Sequence, residues 1–266
     1  MTDKKLRNNE LKEIYDKWFA DLYELEETET EDVLLLLSLL GSKSLKVLEP
    51  ACGSGRILVP LAKAGHQVHG FDLDETMLLK IPDLVKGLTN ATYSSMDALT
   101  GNWGSDYDAV VLGGNLLINI ESALSYQQAQ QLLIQKAADC LKPGGHLFLD
   151  FNLYSHPEEV FSKNDGYVIF EGTDSRGVSG KYTVIGDSYD TVTQMAAGRR
   201  HIELRMPDGS LEVLHETYQK HVPTLQDVQH WLKDAGFITE YEFGSYQREP
   251  LSKNTVRCIL YACKNA

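Results

Sequence analysis

One segment constrains the fold more than any other: VLEPACGSGRILVPLAKAGHQVHGFDLDETML, from Val47 to Leu78. A short apolar run, SLKVLEP, reads as a strand that ends at Glu49. A loop carrying Gly53 and Gly55 follows and opens into a helical stretch, RILVPLAKAG, which stops on Gly65. A second apolar run, QVHGFDL, then ends at Asp72. Near-continuous apolar strands separated by helices indicate a parallel sheet covered on both faces. The pattern continues downstream. A helix begins at DETMLLKI, where Pro82 interrupts or redirects it, and ATYSSMD reads as a third strand. YDAVVLGG is a fourth strand, SALSYQQAQQLLIQKAADCL a long helix, and KPGGHLFLDF a turn and a fifth strand.

The two ends of this core differ in style. Residues from about Asn8 to Leu25 place Leu11, Ile14, Tyr15, Trp18, Leu22 and Leu25 on one helical face. A second helix is predicted from about Thr30 to Leu40, stopping at Gly41. From about Tyr154 to Val222, segments rich in Tyr, Val, Thr and Ile are separated by Gly, Asp and Pro, with MPDGS as a hairpin turn. This predicts an antiparallel sheet inserted into the α/β core. Thr224 then caps the helix LQDVQHWLKDAG, and two strands, FITEYEFG and TVRCILYAC, close the chain. The expected division is residues 1–152 with 223–266 as a cofactor-binding domain, and 153–222 as an inserted β domain serving as substrate cover or dimer surface.

Glycines in the loop after Glu49 let a backbone approach a ligand without a Cβ clash, and N–H groups of the following helix point toward it. A carboxylate at the tip of the second strand, Asp72, can accept hydrogen bonds from both hydroxyls of a ribose. A nicotinamide fold requires G-x-G-x-x-G, but Leu58 stands where the third glycine belongs. Glu49 would also repel a pyrophosphate, whereas it would attract a ligand carrying ammonium and sulfonium groups. The charge logic favours a sulfonium nucleoside over a dinucleotide.

On these residues the stretch from Val47 to Leu78 resembles the first two motifs of the class I S-adenosylmethionine-dependent methyltransferases, a Rossmann-like α/β family. ACGSGR departs from the usual three-glycine form in that Ala51 replaces the first glycine. SSMDAL, YDAVVLGGN, LKPGGHLFLDF and the final strand pair are similar to later segments of that family. The resemblance implies that S-adenosylmethionine is the cofactor. It implies that Glu49, Ala51, Gly53 and Gly55 frame its amino-acid end, with Arg56 approaching its carboxylate. Asp72 would hold the ribose, Leu73 would pack on the adenine, and Asp97 and Ala98 would meet the adenine edge. Gly113, Gly114 and Asn115 would lie beside the methyl donor. The N-terminal YDKWFADLY resembles a lid helix, in which Tyr15 and Trp18 close over the methionine. LGGN followed by LDFNLY resembles glycine and amino-sugar N-methyltransferases.

The implied reaction is in-line methyl transfer to a small-molecule acceptor, for which positioning supplies much of the rate. The pocket for that acceptor is expected over the strand tips, walled by the N-terminal helices, the loop after Asn115, the segment 152–156 and the insertion. Tyr182, Arg199, His201, His215, Tyr218 and His221 are polar candidates in the insertion, and His215 and His221 would share a strand face. No catalytic base is assigned. Two further readings stay open: a protein that binds S-adenosylmethionine without turnover, and an NAD-dependent oxidoreductase.

Composition bounds the partners. The net charge of -13 weighs against nucleic acid. The longest apolar run, Val33 to Leu40, is too short to span a bilayer, and no apolar leader opens the chain. The four cysteines form no CxxC pair, which suits a reducing cytoplasm. Cys258 and Cys263 should face opposite sides of one strand and could not share a metal, so no metal site is expected.

Overall fold

The structure, a computed structural model, describes residues 2–265, with side chains from residue 9 onward. The chain divides into two compact units: residues 30–155 with 220–266, and residues 1–29 with 156–219.

The larger unit is the α/β core. Its strands are β1 (Lys46–Pro50), β2 (Gln67–Asp72), β3 (Ala91–Ser95), β4 (Tyr107–Leu112), β5 (Leu141–Asn152), β10 (Phe237–Phe243) and β11 (Arg257–Lys264). They form one sheet in the order β10-β11-β5-β4-β1-β2-β3. The strands from β5 to β3 pair in parallel, while β11 and β10 join antiparallel. Residue parity divides the core. Leu48, Val110, Leu112, Leu147, Leu149 and Leu260 face one side, toward helix α7 (Tyr126–Cys140) and helix α9 (Leu225–Asp234). Val47, Val111, Phe148, Ile259 and Tyr261 face the other, toward α2 (Glu31–Leu40) and α3 (Leu58–Lys63). Both faces are covered, which is why the strands read as unbroken apolar runs.

Local signals set the boundaries. Gly41 closes α2 at φ 74°. Capping boxes Ser125/Gln128 and Thr224/Asp227 open α7 and α9. The expected helix at DETMLLKI is split into α4 (Glu75–Leu78), capped by the Asp74 carboxylate, and α5 (Ile81–Leu84). Pro82 stands in the first turn of α5, where its missing N–H costs nothing. The expected turn KPGG lies inside β5. Tyr107 pairs with Leu141 and Ala109 with His146, so residues 142–145 of β5 stand against Asp108 alone as an irregular bulge, with Gly144 left-handed at φ 74°.

The smaller unit holds a four-stranded sheet, β6 (Gly166–Thr173), β7 (Ser179–Asp190), β8 (Met195–Arg205) and β9 (Leu211–His221), in that order, with α8 (Pro157–Phe161) and α1 (Thr2–Glu26). Leu11, Trp18 and Leu22 of α1 pack on Phe170, Val178, Ile202 and Leu204. Trp18 is fully buried, and its indole N–H donates to the Gly172 carbonyl at 3.1 Å. A Cβ on Gly180 would lie 2.5 Å from the Trp18 ring, so only glycine admits this approach. The sequence reading placed both N-terminal helices with the core domain. In the structure the second of them, α2, does pack there, while α1 supplies the apolar layer that the inserted sheet lacks.

Candidate cofactor site at the strand switch point

Strand order reverses between β1 and β4, and open α/β sheets bind ligands beyond the carboxyl ends of such a pair. Glu49 lies next to the end of β1 and is 4% exposed. Its Oε2 is the only buried side-chain polar atom among the described residues without a hydrogen-bond partner. Burial pushes the Glu49 pKa well above the usual carboxylate range. The Arg56 guanidinium opposes this, Asp32 and Asp72 add to it, and a hydrogen bond from the Leu58 backbone N–H opposes it again.

The chain leaves β1 in a tight turn with left-handed residues at Ala51 (φ 55°), Gly53 (φ 53°) and Gly55 (φ 87°). The Gly55 N–H donates to the Cys52 carbonyl at 2.9 Å, and the Cys52 N–H donates to Phe71 on β2 at 3.0 Å. At Gly55 a side chain would be strained by the φ of 87°, and a Cβ would crowd Val59 at 3.2 Å and Ile81 at 3.3 Å. Since α3 begins only at Leu58 and is short, the cradle is built from this turn rather than from a long helix.

Asp72, at the end of β2, is fixed by backbone. Oδ2 accepts from Gly53 N at 2.8 Å and Oδ1 from Asp74 N at 2.8 Å. Burial raises its pKa; the hydrogen bonds from Asp74 and Gly53 work against that shift. Leu73 beside it is 66% exposed, an open apolar surface. Asp72 pairs with Ser95 across the sheet, which brings the segment after β3 alongside. There Asp97 Oδ1 accepts from Leu99 N at 2.7 Å and Thr100 N at 3.0 Å, and the Ala98 carbonyl accepts from Trp103 Nε1 at 2.9 Å. Beyond β4, Gly113 and Gly114 lead to Asn115, left-handed at φ 63°, whose Oδ1 accepts from Asn152 N at 2.9 Å. Thus Glu49, the turn, Asp72, Asp97 and Asn115 all lie at the carboxyl edge of one sheet.

Arg56 has a partner that the sequence did not reveal. Its guanidinium donates in a fork to Asp32 of α2, at 2.9 and 2.6 Å, and Asp32 is 4% exposed. A second buried pair lies on the same edge: Asp150 of β5 receives a fork from Arg257 of β11 and a 2.9 Å hydrogen bond from the Tyr246 hydroxyl. Arg257 also donates to Asn152 at 2.8 Å. Asp32 raises the pKa of both Glu49 and Asp150, so these groups share one electrostatic neighbourhood. Three buried carboxylates (Asp32, Glu49, Asp150) meet two guanidiniums (Arg56, Arg257), and the one left over is Glu49. A cationic ligand beside Glu49 would favour its ionised form. Asp150, Tyr246 and Arg257 were missed in the sequence, although an Asp in the apolar strand LFLDF was a legible signal.

Tyr15, Trp18, Tyr182, Arg199, His201 and His215 belong to the smaller unit. Trp18 is core in the smaller unit, and Tyr15 packs on Phe19 and Tyr182 there, at 5.9 and 6.1 Å between ring centres. Arg199 forks onto Asp187, and His201 meets His215 at 3.1 Å. Along β9, His215 is exposed, whereas His221 is buried and meets Gln130 at 2.7 Å.

Comparison with known proteins adds the family. Residues 47–145 match the family model described as a methyltransferase domain. Over residues 47–145, then, the chain carries a methyltransferase domain of the class I S-adenosylmethionine-dependent type. Its cofactor is S-adenosylmethionine, and the surplus carboxylate of Glu49 suits that molecule's ammonium and sulfonium charges. Solved structures share the methyltransferase's fold. An S-adenosylmethionine-dependent methyltransferase from Clostridium acetobutylicum superposes with TM-score 0.70 at 16% identity, covering 97% of this chain and 99% of that one. An amino pentose methyltransferase from Micromonospora echinaspora, solved with S-adenosylmethionine bound, gives TM-score 0.61 at 16% identity over 90% and 93%. A sugar N-methyltransferase from a Streptoalloteichus species gives 0.66 at 14% identity over 92% and 91%. No curated protein matches the chain. Among the described residues no helix of the methyltransferase is long and apolar enough to cross a membrane.

Proposed function

We propose that this methyltransferase acts on a small-molecule acceptor, methylating a nitrogen or oxygen nucleophile. The observation that carries the reading is the unpartnered, buried carboxylate oxygen of Glu49 beside the glycine turn. It suits a positively charged amino-acid end and opposes a pyrophosphate. The acceptor class rests on the sugar and amino pentose methyltransferases above, whose likeness extends over at least 90% of this chain.

In this reading Glu49, Ala51, Gly53 and Gly55 hold the methionine end of the cofactor. Asp72 takes the ribose hydroxyls, with its carboxylate already aimed by Gly53 and Asp74. Leu73 packs on the adenine, and Asp97 and Ala98 meet its edge. Gly113 and Asn115 border the reactive end, with Asn115 fixed by Asn152. When bound, the cofactor would supply a methyl carbon activated by its sulfonium for in-line transfer to the acceptor. The residues of this chain contribute position and exclusion of water, which can supply much of the rate. A base is required only for an acceptor that must first lose a proton.

The test is calorimetric titration with S-adenosylmethionine, S-adenosylhomocysteine and NAD, followed by methyl-transfer assays on amino sugars, amino acids and hydroxylated metabolites. Binding of the first two ligands without NAD, together with turnover of a small acceptor, is the expected result. Binding without turnover on any acceptor would favour a binding-only protein. NAD binding would overturn the site assignment.

A further inference from the structure

Away from the cofactor edge, three potential metal ligands converge on one face of the core sheet: His146 of β5, Glu240 of β10 and Cys263 of β11. Their ligand atoms all lie within 4.8 Å of one another. Cys263 is the cross-strand partner of His146. Glu240 joins them because β10 is irregular: Thr239 pairs with Ala262 and Tyr241 with Tyr261, so Glu240 is an extra residue in the ladder. Such a bulge re-aims a side chain. Here Glu240 reaches His146, with Oε2 3.1 Å from Nε2, while Tyr241 still faces Tyr261 at 6.3 Å. The imidazole is oriented independently of any ion, stacked on Tyr261 with ring centres 4.6 Å apart and planes 9° apart.

We propose that His146, Glu240 and Cys263 form a three-ligand site for a borderline divalent cation of the Zn2+ type, with the fourth position open to water. One imidazole nitrogen, one carboxylate oxygen and one thiolate sulfur are ligands that zinc accepts together. Thiolate and carboxylate together neutralise the ion, and the thiol proton leaves to solvent on binding. Bonds of about 2.0–2.3 Å place tetrahedral donors roughly 3–4 Å apart, so small side-chain rotations complete the site. It differs from the cofactor site in place. His146 is level with Ala109, and Ala109 with Val47, on the side of Glu49 away from the strand tips. An ion there would tie the edge strand β10 to β5.

The experiment uses the whole chain, stripped with a chelator and titrated with Co2+. One equivalent should produce the near-ultraviolet absorption of a thiolate–cobalt bond, and Zn2+ should bleach it. Cys263→Ser should abolish the band. Glu240→Gln should weaken binding at least about tenfold, the order of loss expected when a ligand position is disturbed. No band in the wild-type chain, or an unchanged band in Cys263→Ser, overturns the proposal. A measurement without variants stands beside it: one equivalent of Zn2+ should slow alkylation of Cys263, read by peptide mass, at least about tenfold, and unslowed alkylation overturns the site.

Discussion

Asp72 accepts a hydrogen bond from the backbone N–H of Gly53 at 2.8 Å, tying the tip of β2 to the turn that follows β1. One carboxylate therefore shapes the cradle and, in the proposed site, takes the ribose hydroxyls. Asp72→Ala should weaken S-adenosylmethionine binding about tenfold or more, because a hydrogen bond to a charged group contributes roughly 1.5–3 kcal/mol. Titration calorimetry measures this directly, and unchanged affinity would remove Asp72 from the site.

Glu49 should link the cofactor to pH. Burial holds its folded pKa above the unfolded value, so between the two the folded protein carries the extra proton. The stability that Glu49 contributes to the free protein is therefore fully present below the ordinary carboxylate range and is lost as pH rises through that window. Glu49→Gln should flatten this decline in urea unfolding while weakening cofactor binding. A cation settling beside Glu49 lowers its pKa, so binding within the window should release a proton. Calorimetry in buffers of different ionisation enthalpy reads that proton, and the variant should show none.

Ala51 holds a left-handed φ of 55°, where a Cβ costs roughly 1–2 kcal/mol. Ala51→Gly should relieve that strain, at some cost in unfolded-chain entropy, for a net gain of about 1 kcal/mol. Chemical denaturation checks it; a loss of stability would mean that the turn is held differently.

Trp18 should act on stability rather than through the cofactor. Trp18→Phe keeps most of the buried ring but leaves the Gly172 carbonyl without its donor, a cost of about 1–3 kcal/mol. Trp18→Ala should cost about 3–5 kcal/mol. Thermal unfolding, with cofactor affinity measured on the folded variant, separates the two roles.

The core sheet was legible because its strands are buried on both faces and announce themselves as apolar runs around KVLEP and YDAVVL. The glycine turn and Asp72 were legible because their spacing is fixed by one βαβ unit. What stayed hidden depends on distant pairing. No local pattern links Arg56 to Asp32 or Asp150 to Arg257, since those contacts are made by packing and strand order. Cys263 was weighed only against Cys258, its neighbour in sequence, whereas its close companions His146 and Glu240 belong to flanking strands. Similarly, the helical face of α1 announced burial without naming its partner.

The partnership of α1 with the inserted sheet bears on how the chain is made. α1 is synthesised long before β6 to β9, and the whole parallel core lies between them in sequence. During translation the apolar stripe of Leu11, Trp18 and Leu22 must wait uncovered while the intervening core emerges and folds. Contacts of such long sequence separation form slowly and leave sticky surface exposed meanwhile. In a growing cell, the yield of intact protein should depend on chaperones that shelter this helix until its sheet arrives.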